Sequence, residues 1–441
     1  MNAREVAVHI IFLSDSGHEF VNSLLDRILS EQILSVKDRG LVSEIVNGTY
    51  RWRGKIDWIL DRFCREGLQS CPQAVIPILE TGLYQLMFLN RVPAYAAINE
   101  AVNMTKSASG KKWAGIVNAV LRSYIREKER IAFPSMNDDP VESIAVRYSH
   151  PVWLVQRWLG RYGHETTIKL CEANNSIPKI TLRVNRNAGD YEQILGEIGT
   201  YTKYQISPFD KSFINLDKHI SNIRSFAPFN NGLCSVQDVS AGIPARLIDP
   251  QPGEHIIDMC AAPGGKSTYL AELSKGNSII IANDLNLTRV RLIKENIQRI
   301  SLSGINPMVS DGKIIGLKAA DKLLVDAPCS GFGVLSKRVD LRWRRTERDV
   351  KELTALQKQL ITNAATLVRP GGVIVYSTCT IEPEENEELV EWFLEKNKNF
   401  TIDSAVPYVS KSIINKSGFI KTLPHVHNCD GSFAVRLRKI L

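Results

Sequence analysis

Apolar residues recur at three- and four-residue spacing through the first third of the chain. The stretches VNSLLDRILSEQIL (21–34), DRGLVSEIVNGTYRWRGKIDWILDRF (38–63), AVIPILETGLYQLMFL (74–89), AINEAVNMTKSAS (97–109) and WAGIVNAVLRSYIREKER (113–130) each carry one apolar stripe, the signature of an amphipathic helix. Gly40, Gly48, Gly54, Gly67, Pro72 and Pro93 punctuate them. The expected element is an all-α bundle over residues 1–135. The polar FPSMNDDP (133–140), with a proline near each end, reads as a linker. Over 141–239 the period changes. HPVWLVQRWLGRYG reads as a helix, KITLRVNRN as a strand by its alternation, and YEQILGEIG as a helix, so a small α+β linking module is expected.

From residue 240 the pattern alternates between short apolar runs and helical stretches. EHIIDMCA, NSIIIAND, INPMVSD, KLLVDAPC and GGVIVYSTC read as strands. KSTYLAELS, TRVRLIKENIQRI and ERDVKELTALQKQLITNAATLV read as the helices between them. Such alternation predicts an open, mostly parallel α/β sheet of Rossmann-like type over 240–441, covered by helices on both faces. SGFIKTLPH and GSFAVRLRKI are expected to close the chain as a hairpin on the sheet edge.

Composition narrows the setting. A chain of 441 residues exceeds one ordinary domain. No run approaches the roughly 20 apolar residues of a membrane span, Glu80 interrupts the greasiest stretch, and MNAREVAVHI lacks the apolar core of a signal peptide. The eight cysteines include no CxxC pair, which fits a reducing, cytoplasmic setting. His425, His427 and Cys429 form an HxHxC cluster, read as a polar surface loop because no second ligand group accompanies it; no metal is expected. The formal charge of +8 favours an acidic partner, most commonly nucleic acid.

Ligands of open α/β sheets sit beyond the carboxyl ends of the strands, where this sequence concentrates its unusual residues. The first strand ends in Asp258 and runs into CAAPGGKST, whose Ala261, Ala262, Gly264 and Gly265 leave room for close approach to the backbone. The loop resembles a P-loop but has Cys260 where GxxxxGK[ST] needs glycine, and GxGxxG is absent. Asp284 ends the second strand at the place of a ribose-binding acid, and Asp311 ends the third, placed to meet an adenine edge. Ribose acids without a phosphate cradle point to an adenosine ligand lacking phosphates, S-adenosylmethionine being the common one.

Cys329 in DAPCSG and Cys379 in YSTCT follow consecutive strands. Consecutive strands are usually neighbours, so both thiols are expected to face the cofactor crevice. A thiolate adding to carbon 6 of cytosine makes the unreactive carbon 5 enamine-like and able to accept a methyl group. A second thiol can assist loss of the carbon 5 proton. Asp326 is placed to bind the exocyclic amine, or, if protonated, to donate to the ring nitrogen N3. Two ordinary readings stay open at this point: cysteines as small buried hydrophobes, or a redox pair. Position alone does not say which thiol attacks.

DMCAAPGGKS, DAPCSG and STCT together resemble the cofactor loop and two cysteine motifs of the RNA cytosine-5 methyltransferases. The resemblance implies an S-adenosylmethionine-dependent methyltransferase domain with Cys379 as nucleophile and Cys329 as the partner in product release. Cys260, Ala261, Ala262, Pro263, Gly264, Gly265, Lys266, Asp284, Asp311 and Asp326 would line the cofactor and target-base site. The helical stretches resemble a NusB-like RNA-binding domain, and TLRVN, with Arg183 and Asn185, resembles the linking module of members acting on small-subunit ribosomal RNA. The implied substrate is 16S rRNA, at its position-967 cytosine, and the expected state is a monomer. Phe332 and Ser432 depart from the family pattern, which mostly has Ser or Thr and Phe there. Residues 337–351 hold seven Lys and Arg against three Asp and Glu, with Trp343 among them. This reads either as an RNA-contacting strip with a stacking platform or as a solvated helix start. The competing functions are cytosine-5 methylation of tRNA or of another rRNA site, and, in a different class, a non-catalytic ribosome-assembly factor.

Overall fold

The computed structural model describes residues 1–17, 19–217, 220 and 223–440. They form two compact units, Met1–Ile177 with Leu335–Arg344, and Pro178–Val334 with Arg345–Leu441.

The first unit is built from helices Ala3–Ser16, Val21–Glu31, Val36–Phe63, Ile76–Phe88, Ala94–Glu127, Pro140–Tyr148 and Val152–Asn175. Asn2 and Glu5 form a capping box on the first helix, and Ser35 and Asp139 cap two others, satisfying amide groups that helix starts leave unpaired. Gly110, at φ 84°, breaks Ala94–Glu127 into the two stretches expected from periodicity. The segment 133–140 is not a free linker. Phe133 stacks on Trp58 at 5.2 Å, and the Pro134 carbonyl accepts from Ser143 Oγ at 2.9 Å. Aromatic burial thus ties the helices of 140–175 into the helical unit, a long-range contact that local polarity does not reveal.

The second unit holds two sheets. The smaller is antiparallel, with β1 (Thr181–Val184), β2 (Tyr204–Ile206), β3 (Phe213–Leu216) and β4 (Cys234–Val236) in the order β2-β3-β1-β4 and the helix Tyr191–Tyr201 beside it. The larger contains β5 (His255–Asp258), β6 (Ile279–Asp284), β7 (Ile305–Val309), β8 (Ala320–Asp326), β9 (Val368–Thr378), β10 (Phe400–Ile402), β11 (Ile420–Thr422) and β12 (Ser432–Lys439). Its order is β10-β12-β9-β8-β5-β6-β7, with β11 also on β12. Strands β5 to β9 run parallel and β12 runs antiparallel to β9. The β11–β12 hairpin forms as expected, but β12 is interior, because β10 pairs its outer side.

Alternate residues of the continuous apolar strands serve opposite faces. Leu323 and Val325 pack with Leu360, Ile361 and Phe393 from the helices Glu347–Leu367 and Glu387–Lys396. Leu324 packs on the other face with Ile243, Leu247 and Leu270 from Val239–Ile248 and Gly265–Leu273. The order reverses between β5 and β8, which opens the switch-point crevice beyond their carboxyl ends.

Candidate active site

The loop after β5 and the ends of β6, β8 and β9 bring most of the sequence-predicted residues together. Gly264 has φ 98°, and a Cβ there would sit 3.2 Å from Ile293 Cγ2 and 3.3 Å from its Cα, so glycine permits both the turn and the approach of helix Leu287–Ile300. Asp284 is buried at the end of β6 and accepts from the backbone N–H groups of Ala262 and Asn286, each at 3.2 Å. Asp311 is engaged locally, accepting from the Lys313 N–H at 2.9 Å.

Lys266, the cation of the loop, donates to Asp326 Oδ2 at 2.6 Å, and Ser377 Oγ donates to Asp326 Oδ1 at 2.8 Å. Burial pulls the Lys266 ammonium down, but Asp326 and then Asp258 more than offset it, so its pKa is raised. Both oxygens of Asp326 act as acceptors. As an acceptor, Asp326 can take a further hydrogen bond from an amine of the base. Asp258, which the sequence marks only as the end of the first strand, is fully buried at the end of β5. It accepts from Ser267 Oγ at 2.6 Å through one oxygen, while the other has no partner. Burial, opposed by Ser267 and reinforced by Asp326 and Asp284, pushes its pKa up to about 7.

These observations test the fit of a cofactor. Lys266 is held by Asp326 at 2.6 Å, Arg289 lies 3.5 Å from Asp284 and Lys313 3.3 Å from Asp311, so each cation is tied to a carboxylate rather than gathered into a phosphate cradle. Asp258 keeps one buried oxygen without a partner at the head of the loop, and carboxylates at the strand ends can accept from ligand hydroxyl and amino groups, which S-adenosylmethionine carries. The thiol of Cys260 is half-buried; burial first, and the neighbouring Asp258, Asp326 and Asp284, push its pKa up.

Strands β8 and β9 pair through Asp326 and Ser377, which sets the two cysteine loops side by side. The Sγ atoms of Cys329 and Cys379 lie 3.2 Å apart, and the Cys379 N–H donates to Cys329 Sγ at 3.3 Å. Cys379 is exposed and Cys329 only partly so. The Gly333 N–H donates to the Cys379 carbonyl at 3.0 Å, and a Cβ at Gly333 would collide with the Gly431 carbonyl. Phe332, one of the two departures, is fully buried, and Ser432 donates its N–H to Thr422 Oγ1 at 2.9 Å.

Two buried networks lie behind these residues, one on Glu385, which the sequence does not single out, and one on Arg183, which it places only in the linking module. Beneath the cysteines, Glu385 accepts from the Ser330 N–H at 2.9 Å, Ser330 Oγ at 2.5 Å and Gln357 Nε2 at 2.9 Å. The acid run in TIEPEEN directly after the second cysteine was its only signal. Behind the cofactor loop, Arg183 of β1 is fully buried. It donates to both Glu272 oxygens at 2.7 and 3.0 Å, to the Gly265 carbonyl at 2.7 Å, to Thr268 Oγ1 at 3.0 Å and to Gln237 Oε1.

The basic strip 337–351 is corrected in part. Its first half, 337–344, lies in the stretch Leu335–Arg344 that belongs to the helical unit. Arg342 is fully buried and donates to the Ser149, Asn174, Leu335 and Arg51 carbonyls and to Asn175 Oδ1. Burial first, then the charge of Arg51, lowers its pKa to about 9. Trp343 Nε1 donates to the Tyr50 carbonyl at 2.7 Å, and its ring fills the space that a Cβ on Gly54 would need. Neither side chain is a free stacking platform. His427 Nδ1 is held by the backbone N–H of Leu423 at 2.9 Å, and among the described residues no group of three or more His, Cys, Asp or Glu could hold a metal. Among the same residues no helix is long and apolar enough to cross a membrane.

Comparison with known proteins places these features. Residues 245–438 match the family model for 16S rRNA methyltransferase RsmB/F, residues 1–126 the NusB family, and residues 150–218 the RsmF/B-like ferredoxin-like domain. The chain is 34% identical to the probable ribosomal RNA small subunit methyltransferase B of Bacillus subtilis, covering 99% of each chain. Among solved structures, PH0851 superposes with a TM-score of 0.84 at 25% identity, covering 100% of this chain and 99% of that one. NSun6 from Pyrococcus horikoshii with SFG superposes with a TM-score of 0.58 at 23% identity, over 65% of this chain and 97% of that one, a likeness of fold. Full-length similarity, a NusB-type helical domain and a methyltransferase sheet ending in paired cysteines agree: the chain belongs to the 16S rRNA methyltransferase RsmB/F family, whose methyl donor is S-adenosylmethionine.

Proposed function

We propose that this rRNA methyltransferase acts on carbon 5 of a cytosine in 16S rRNA, the position-967 cytosine, with Cys379 as nucleophile. The observation that carries the reading is the pair of thiols 3.2 Å apart at neighbouring strand ends, of which Cys379 is the exposed one. The cofactor would be held by Cys260 to Lys266, Asp284 and Asp311, and it supplies the methyl group. Asp326, beside the thiols through Ser377, accepts from the cytosine amine and so disfavours uracil, whose carbonyl would leave that acceptor unpaired. Cys379 Sγ bonds to carbon 6, and carbon 5 then takes the methyl group. Loss of the carbon 5 proton and breaking of the C–S bond return the thiol, with Cys329 assisting release. A target base must leave its stack to reach such a crevice. The family models and relatives support 16S rRNA over tRNA, and the built thiol pair argues against a purely structural assembly factor. On this reading labour divides between the helical segment 1–135 for RNA binding, the small antiparallel sheet within 141–239 for linkage and the large sheet within 240–441 for chemistry, with the helices of 140–175 and the stretch 335–344 belonging to the helical unit.

The test is covalent. Cys379→Ala should abolish methylation, and Cys329→Ala should accumulate an RNA–protein adduct stable to denaturant. Methylation by Cys379→Ala, or turnover without adduct by Cys329→Ala, would refute the assignment. Bisulfite sequencing of rRNA from a deletion strain reads the target nucleotide.

A further inference from the structure

Two thiols at hydrogen-bond distance share protons, so a rule is needed for which one carries the charge. The groups around Cys329 are few. Cys379 faces it across the crevice, and the Lys266–Asp326 ion pair lies at the end of β8. The buried Tyr376 phenol of β9 donates to the Glu385 carbonyl at 2.7 Å. Glu385 and Glu382 lie in the turn after Cys379, both fully buried.

Glu385 holds the Cys329 loop on both sides. Its carboxylate takes the Ser330 N–H and hydroxyl, one residue after Cys329. Gln357, which donates to the same carboxylate, also donates to the Pro328 carbonyl at 2.8 Å, one residue before it. Ser330 Oγ lies 2.7 Å from Thr380 Oγ1, so the network also reaches the residue after Cys379. These donors favour the charged form of Glu385 against the burial that raises its pKa. A negative charge fixed behind one thiol disfavours a second negative charge on that thiol.

We propose that Glu385 is the positioning residue that decides which thiol attacks: its carboxylate, fastened behind the Cys329 loop, keeps the shared proton on Cys329 and leaves the thiolate to Cys379. The inference rests on the reading of Cys379 as nucleophile and supplies the reason for it. The thiol of Cys329 is indeed pushed well up, by the hydrogen bond with Cys379 first, then burial, with the Glu385 charge contributing. No bond between heavy atoms changes in this step: the S–H bond of Cys329 is kept, while that of Cys379 breaks, its electron pair staying on sulfur and its proton passing to solvent water.

The experiment measures alkylation of Cys329 by iodoacetamide against pH, site-resolved by mass spectrometry, in a Cys379→Ser background that removes the neighbouring thiol. Glu385→Gln keeps the shape: the amide oxygen can accept from Ser330 N–H and Gln357, and the amide N–H can donate to Ser330 Oγ. Its expected effect is a downward move of the alkylation midpoint by about one pH unit or more. Glu385→Asp, which withdraws the charge by one methylene, should move it less and in the same direction, and provides the measurement if the Gln variant does not fold. A merely structural Glu385 would lower the melting temperature and leave the midpoint in place, and that result overturns the proposal. RNA adduct formation with Cys329→Ala is scored separately. Its failure would remove Cys379 as attacker while leaving the proton placement at Cys329 to stand or fall on the alkylation midpoint.

Discussion

Arg183→Met tests how the linking sheet supports the cofactor loop. The guanidinium is fully buried and its principal partner, Glu272, is nearly so, at 0% and 5% side-chain exposure. Removing one member of a buried ion pair leaves the other uncompensated, a loss of about 3–5 kcal/mol. The orphaned Gly265 carbonyl and Thr268 hydroxyl belong in the same figure, because one collapse relieves them together. At about 2–4 °C per kcal/mol for a unit of this size, the melting temperature should fall by roughly 10 °C. The sign of the pH dependence follows from Glu272, whose pKa burial raises and Arg183 opposes. Without Arg183 it rises further, so folding binds a proton that the unfolded chain releases above its ordinary value near 4.5. The variant's deficit should therefore be small at low pH and grow as pH rises. Because Arg183 grips the first carbonyl of the helix after the glycine loop, the KM for S-adenosylmethionine should rise with it. Melts at several pH values and cofactor titrations measure both effects. The double variant Arg183→Met/Glu272→Met should recover most of the stability, since an apolar pair of similar volume tolerates the site. A single variant within about 1 kcal/mol of the parent at neutral pH, with unchanged KM, would refute the reasoning.

Two further outcomes concern buried charges. Asp258 is easier to keep protonated in the fold than in the unfolded chain, so it erodes stability as pH rises from about 4 to about 7. Asp258→Asn should remove that slope and gain up to roughly 4 kcal/mol on the parent by pH 8, read from urea midpoints at pH 5 and pH 8; parallel midpoints would count against it. In the helical unit, Arg342→Met should orphan several buried carbonyls and cost at least about 2 kcal/mol. An unchanged melting temperature would show that those carbonyls have other partners.

Much of this was legible in the chain itself. Helical periodicity marked the N-terminal bundle, even the interruption near Gly110, because burying one stripe is a local demand on spacing. Alternation of β and α runs gave the parallel sheet, and the strand ends located Asp284, Asp326, Cys329 and Cys379, because in such a sheet position along a strand is position in the crevice. Tertiary structure decided what depends on partners distant in sequence. It placed 337–344, the first half of the basic strip 337–351, inside the helical unit with Arg342 buried among carbonyls. It turned the polar 133–140 into a packed connection through the stack of Phe133 on Trp58. It spent Lys266 on Asp326, and set Glu385 behind Cys329. Charge and polarity can be counted in a sequence, but a charge acts according to what desolvates it and what neutralises it, and only packing brings those groups together.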